Sequence, residues 1–181
     1  MTDPVDTRLH GLAPVVDART RLVVLGSFPG AASLAAGQYY AHPRNRFWPL
    51  MSALVGEDLA ALAYGPRLDA LLAHGIGLWD VYASCERTGS LDSAIRAAEP
   101  NDLSRLRTLA PGLRAVLHNG QASARERHVT AGLGLEVHVM PSTSPANASW
   151  SLARHVAHWR EVVAPCLAGP GATRADDRIA G

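Results

Sequence analysis

Three stretches of this chain concentrate residues that bind or react. The first runs from Gly26-Ser27-Phe28-Pro29-Gly30 to Gln38-Tyr39-Tyr40-Ala41-His42-Pro43-Arg44-Asn45-Arg46-Phe47-Trp48. Glycine directly after an apolar run lets backbone approach a ligand closely. The spacing is neither G-x-G-x-x-G nor G-K-[ST], which argues against a nucleotide phosphate loop. Tyr39, Tyr40, Phe47 and Trp48 crowd together in a chain that is only 6% aromatic. Phe47 and Trp48 begin a helical pattern and read as core. Tyr40 precedes the polar His42–Asn45 turn, where a ring can offer a flat face to a base. In the second stretch, His118-Asn119-Gly120, the Asn119 amide either caps a following helix or reads a base edge with its donor and acceptor. The third, Met140 to Asn147, sets Ser142, Thr143 and Ser144 between two prolines. Such a run is a helix-capping turn, a clamp for phosphates, or both. Asp80 is a possible base, but an acid near a strand end more often makes a structural hydrogen bond, and that reading carries more weight. The histidines show no metal-ligand spacing. His155 and His158 fall on a helix side expected to face solvent, so no metal is expected.

These residues need elements to hold them. Four apolar runs read as buried strands: 21–25, 76–82, 113–117 and 135–140. Helical patterns lie between and after them at 47–55, 58–73 (interrupted at Gly65-Pro66), 102–110, 121–130 and 149–163. Asn45 and Asn147 are candidate caps, and Leu152, Val156, Trp159 and Val163 form the apolar stripe of the last helix. Strands alternating with helices predict a parallel sheet covered on both faces. Ligands then bind beyond the carboxyl ends of the strands, in the loops after Leu25, Tyr82, Leu117 and Met140.

Composition bounds the chemistry. With 181 residues, 48% hydrophobic and 18% charged, the chain fits one globular domain over residues 1–167, followed by a disordered tail at 168–181. Met1 to Arg19 mixes acids with bases and has no apolar stretch, so no secretory signal is expected, and no run is long enough for a membrane span. Two isolated cysteines, Cys85 and Cys166, fit a reducing cytoplasm and cannot by themselves make a four-thiolate site. All 17 basic residues are arginine. No lysine is available to form a Schiff base with an aldehyde. The net charge is only +1, so any nucleic-acid affinity has to come from a local patch, backbone amides and hydroxyls.

The long first stretch, with Leu78-Trp-Asp-Val81, Gly89-Ser-Leu-Asp92 and Met140-Pro-Ser-Thr-Ser-Pro-Ala-Asn147, resembles the uracil-DNA glycosylase superfamily. Within it the chain looks like the hypoxanthine-DNA (DNA-deoxyinosine) glycosylases. The resemblance runs from about Leu12 to Leu167. It implies a three-layer α/β/α sandwich with a central four-stranded parallel sheet and hydrolysis of the bond between deoxyribose and a flipped-out base. It further implies Asn45 as the catalytic residue, with Tyr40 stacking on the base and Asn119 reading it beside Gly26, Ser27 and Phe28. Ser142, Thr143, Ser144, His42 and Arg44 are expected to contact DNA. Uracil-excising relatives carry an Asn or Asp where Phe28 stands, a histidine where Met140 stands and a wedge leucine where Ser144 stands. These departures favour a purine leaving group, which can be protonated on its own ring nitrogens.

The expected activity is therefore that of a monofunctional, cofactor-free glycosylase acting on hypoxanthine in DNA, as a monomer in the cytoplasm. His42 is a possible aid to leaving-group departure, set against a structural role in its turn. Other readings are a uracil or G:T/U mismatch-specific glycosylase, a broader enzyme that also takes xanthine, and a catalytically silent lesion binder suggested by the missing acid at Phe28. A metal-dependent phosphoesterase using Asp80 and Asp92 is the remaining alternative, and it has poor ligand spacing.

Overall fold

The computed structural model describes residues 8–169. Its centre is a parallel sheet in the order β3-β2-β6-β7, formed by β2 (Leu22–Gly26), β3 (Ile76–Asp80), β6 (Ala115–Asn119) and β7 (Glu136–Met140). The sequence LVVLG in β2 is buried throughout, as a central strand covered on both faces must be. Its side chains alternate between two cores. Leu22 and Val24 join Phe47, Trp48, Leu50, Leu71, Trp159 and Val163 on one face. Val23 and Leu25 join Phe28, Trp79, Leu103, Leu106 and Val116 on the other. The first face is covered by α2 (Phe47–Val55), α3 (Tyr64–Ala73) and α6 (Leu152–Ala168). The second lies under α4 (Leu106–Leu109) and the end of α5 (Arg127–Gly132). The expected four-stranded parallel sheet with helices on both faces is therefore present.

Several expected elements differ in detail. The run 76–82 is two strands: the chain leaves the main sheet after Asp80 and re-pairs as β4 (Tyr82–Glu86). With β1 (Leu9–His10) and β5 (Arg96–Pro100), β4 makes a small antiparallel sheet in the order β1-β4-β5. The expected helix at 58–73 is a 3-10 turn, Leu59–Ala61, followed by α3, which takes Pro66 into its first turn, where a missing N–H costs nothing. The helices expected at 102–110 and 121–130 each begin with a 3-10 turn, at Leu103–Arg105 and Ser123–Glu126. A short α1 (Ala31–Ala36) lies inside the first loop, closed by Gly37 in the left-handed region.

The last helix starts later and ends later than expected. Its cap is Ser151, which accepts from the Arg154 amide at 3.2 Å, not Asn147. Its buried residues are His155, Trp159, Val163 and Cys166, whereas Leu152 is exposed. Helix α6 includes Ala168, the first residue of the expected tail, and residues 170–181 of that tail lie outside the described residues.

Candidate active site

The carboxyl ends of all four parallel strands open into one cavity of about 640 Å³. Gly26 ends β2, Asp80 ends β3, Asn119 ends β6, and Ser142 to Asn147 follow β7; all line the cavity. Tyr40, His42 and Asn45 reach it from the first loop, and Ser90 to Ser93 from the segment after β4.

Its polar wall is a network that joins two loops. The Thr143 amide donates to Asn119 Oδ1 at 3.0 Å. That bond fixes the amide's orientation, because a backbone N–H can donate only to oxygen. Asn119 Nδ2 then donates to Tyr40 Oη at 3.3 Å and Thr143 Oγ1 at 3.0 Å. Asn119 thus acts neither as a cap nor as an open donor; one lone pair of Oδ1 is left for a ligand. Tyr40 accepts from Asn119, so its own O–H can donate elsewhere. Its ring is stacked on Phe47 with centroids 3.9 Å apart, which leaves one face for a base. Burial first, then the nearby Asp80, raises the Tyr40 phenol above its ordinary range. Tyr39 is structural: it is buried, with Oη donating to Ala13 O at 2.9 Å.

Asn45 Oδ1 accepts from the Phe47 amide at 3.0 Å, a turn bond that leads into α2, whose cap position is Arg46 rather than the expected Asn45. The carboxamide is thereby aimed, with a second lone pair and Nδ2 still to use. The preceding turn is closed by the Asn45 amide donating to His42 O at 2.9 Å and the Arg44 amide donating to His42 Nδ1 at 3.1 Å. His42 therefore has the structural place considered for it, and its other ring nitrogen stays available. Arg44 is exposed.

The hydroxyl run is arranged differently from a set of three free donors. Thr143 is fully buried. Ser142 Oγ accepts from the Ser144 amide at 3.2 Å, and Ser144 Oγ from the Ala146 amide at 3.2 Å. The hydroxyls build the loop, and α6 begins only at Leu152, so no helix N-terminus lies directly behind them.

Several residues that hold the site were missed by the sequence reading. The Arg46 amide donates to Thr143 O at 3.1 Å and ties the first loop to the last. His155, expected to face solvent, is buried with Nε2 at 3.0 Å from Ser142 O. Asn147 Nδ2 also donates to Ser142 O, at 2.9 Å. Ser27 and Phe28, expected beside the base, do line the cavity; Ser27 Oγ donates to Asp92 Oδ1 at 2.5 Å, and Phe28 is buried with the Arg87 guanidinium 5.2 Å from its centroid. His155 carried a readable signal, since it lies four residues before Trp159 and eight before Val163, on the buried stripe.

Asp80 departs most from expectation. It is 4% exposed, yet its side chain makes no structural hydrogen bond; Oδ2 is buried without a partner among the described residues. Asn101 Nδ2 donates only to its backbone carbonyl, at 2.8 Å. A Cβ at position 26 would collide with Asp80 Oδ1, so the first-loop glycine is required by this carboxyl. Burial, then the charge of Asp92, pushes Asp80 up to about 7, against an opposing pull from Arg87.

Away from the cavity, Glu136, His138 and Cys166 bring three potential ligand atoms within 4.8 Å of one another, a grouping that histidine spacing alone did not reveal. His138 is already bonded to Glu136 at 2.9 Å, and burial followed by Glu136 raises the Cys166 thiol, which opposes formation of the ligating thiolate. No helix among the described residues is long and apolar enough to cross a membrane.

The fold and the cavity at its strand ends can be set beside known proteins. The profile of the uracil DNA glycosylase superfamily matches residues 13–164. The chain is 40% identical over 152 residues to the hypoxanthine DNA glycosylase of Methanosarcina barkeri, covering 84% of this chain and 96% of that one. It is 39% identical over 153 residues to the hypoxanthine DNA glycosylase of Methanosarcina acetivorans, with the same coverage of 84% and 96%. A solution NMR structure from M. acetivorans, described as a candidate uracil DNA glycosylase, superimposes with a TM-score of 0.80 at 37% identity, covering 88% of this chain and 98% of that one. The chain belongs to the uracil DNA glycosylase superfamily.

Proposed function

We propose that this protein is a monofunctional DNA glycosylase that hydrolyses the N-glycosidic bond of deaminated bases, hypoxanthine foremost, and leaves an intact abasic site. The observation that carries the reading is the cavity itself: Tyr40 and Asn45 from the first loop meet Asn119 from the end of β6 in its lining, in a chain about 40% identical to proteins named for hypoxanthine. Extruding a base costs a few kcal/mol, and a hypoxanthine pair gives way more easily than a normal one. Stacking on the free face of Tyr40 returns about 1–3 kcal/mol. The remaining lone pair of Asn119 Oδ1 accepts from a ring N–H. Hypoxanthine has one at N1, whereas adenine presents a bare nitrogen there. Asn45, aimed by its bond to the Phe47 amide, holds a water toward C1′ of an oxocarbenium-like sugar; a neutral amide contributes position and electrostatics, not proton abstraction. Ser142, Ser144, His42 and Arg44 are the side chains we assign to flanking phosphates, with buried Thr143 left to hold the loop.

The absence of lysine supports release without strand cleavage. Both cysteines are buried free thiols, which supports a reducing, cytoplasmic setting, and we take the protein to act as a monomer. The test is a base-release panel on duplexes carrying inosine, uracil, xanthine or a G:T pair, with EDTA present. Inosine is expected to lead. Bound inosine DNA with no released base would make the protein a lesion binder, and activity abolished by EDTA would make it a metal enzyme.

A further inference from the structure

The hydrolysis outlined above leaves Asp80 without a role, although it occupies the cavity wall at the end of β3. The same hypothetical Cβ at Gly26 that collides with Asp80 Oδ1 would lie 3.5 Å from Tyr40 Oη. The carboxyl therefore sits beside the hydroxyl that marks the base slot. The charged and titratable groups close enough to act on it are Asp92, held by Ser27, and Arg87, and it acts in turn on the Tyr39, Tyr40 and Tyr64 phenols. Arg87 lowers its affinity for a proton but makes no ion pair with it among the described residues: its Nη2 donates to Pro29 O, its Nε to Gly89 O, and its Nη1 is buried without a partner. A buried carboxylate without donors is costly, so the neutral acid is favoured. Its O–H then needs an acceptor that the surrounding protein does not supply.

We propose that the Asp80 carboxyl is the acid of the reaction and passes its proton to N7 of the bound purine. The inference rests on the glycosylase reading. The Asp80 O–H bond breaks as N7–H forms. The C1′–N9 bond then breaks with its electron pair going to N9, and neutral hypoxanthine departs. Water adds to C1′ and loses a proton, which returns through solvent to the Asp80 carboxylate. The raised affinity of Asp80 for its proton keeps the acid form present near neutral pH.

The test is single-turnover release of base from an inosine duplex between about pH 5.5 and 9. Wild-type rate is expected to fall about tenfold per pH unit above about 7. Asp80→Asn is expected to be slower by about 100-fold or more at the acid end and flat with pH, while still binding the duplex. Asp92→Asn removes a like charge, lowers the affinity of Asp80 for its proton, and moves the falling limb to lower pH; this arm stands even where Asp80→Asn folds poorly. Near-normal rates with an unchanged profile in Asp80→Asn, or an unmoved limb in Asp92→Asn, overturn the proposal alone. Wild-type protein that releases no hypoxanthine overturns the glycosylase reading and this inference with it.

A separate observation concerns Leu91, which is 59% exposed on the cavity lining. Its neighbours are anchored: Ser90 Oγ accepts from the Ala31 amide at 2.9 Å, and Asp92 accepts from Ser27. An apolar side chain is thus held in water at the mouth of the cavity, whereas Ser144 is too small to fill a vacated stack. We infer that Leu91 wedges into the gap left by the flipped nucleotide. Leu91→Ala is expected to slow inosine release from duplex by about tenfold and to leave release from single-stranded inosine DNA unchanged. Equal slowing on both substrates, or none on duplex, overturns it.

Discussion

Two asparagines serve this pocket by different physics. Asn45 spends one lone pair on the Phe47 amide, so removing it costs that hydrogen bond as well as the oxygen proposed to hold the water. Asn45→Ala is expected to lose about 1 kcal/mol of stability and to slow base release by about 10²–10³-fold while DNA binding persists. Asn45→Asp, which can still accept from the Phe47 amide, should recover the melting temperature, so the two losses separate in a melt and a rate measured side by side. Asn119 is bound on three sides by Thr143 and Tyr40, and its truncation should disturb both partners. Gly26→Ala drives a methyl into Asp80 Oδ1, and its expected outcome is loss of activity together with a lower melting temperature. Asp80 carries a stability cost of its own. Its folded value near 7 lies above the ordinary 3.8, so the stability it contributes at low pH is lost as pH rises from about 3.8 through 7. At pH 8, Asp80→Asn should therefore melt a few degrees higher than the wild type, measured by calorimetry.

At the scale of elements, what could be read from the sequence follows how local each signal was. The four parallel strands declared themselves as buried apolar runs, and the loops after them are the ones that form the cavity. The second sheet did not. Its β5 strand, RAAEP, is largely exposed and has no alternation to detect, and β4 continues an apolar run begun by β3. Only the turn at Asp80–Val81, where Val81 donates to Gly26 O at 2.9 Å, redirects the chain between sheets. Asn45, Tyr40 and Asn119, singled out by motif and resemblance, all line the cavity, whereas the bond from the Arg46 amide to Thr143 O joins distant segments and had no local pattern to announce it. Helix α6 offers a control: Ser151→Ala removes a cap that touches no cavity residue, and is expected to cost about 1 kcal/mol in a denaturation curve with base release intact.

Over the whole molecule, two buried groups titrate against one another. His118 is enclosed between Ser123 and Thr130, and burial lowers it to about 4. The ordinary value is 6.5, so the folded state holds His118 neutral where the unfolded state is charged, and this contribution to stability is lost as pH falls from 6.5 through 4. Asp80 does the reverse over nearly the same range. Between about pH 4 and 6.5 the folded state keeps a proton on Asp80 that the unfolded state keeps on His118, so the two slopes cancel. In Asp80→Asn the His118 slope is exposed, and stability should rise with pH across that window; a flat curve in the mutant would count against this pairing.

The bonds that join Tyr40 and Arg46 in the first loop to Asn119 and Thr143 have an evolutionary consequence. A lone replacement of Tyr40, Asn119 or Thr143 leaves a distant partner unmatched, whereas the backbone bond from Arg46 survives any residue that keeps an N–H. A lineage moving from one base to another would have to change several of them together, or pass through poorly folded intermediates. Preference for a base is then inherited as a block, and drift at the surface leaves it untouched.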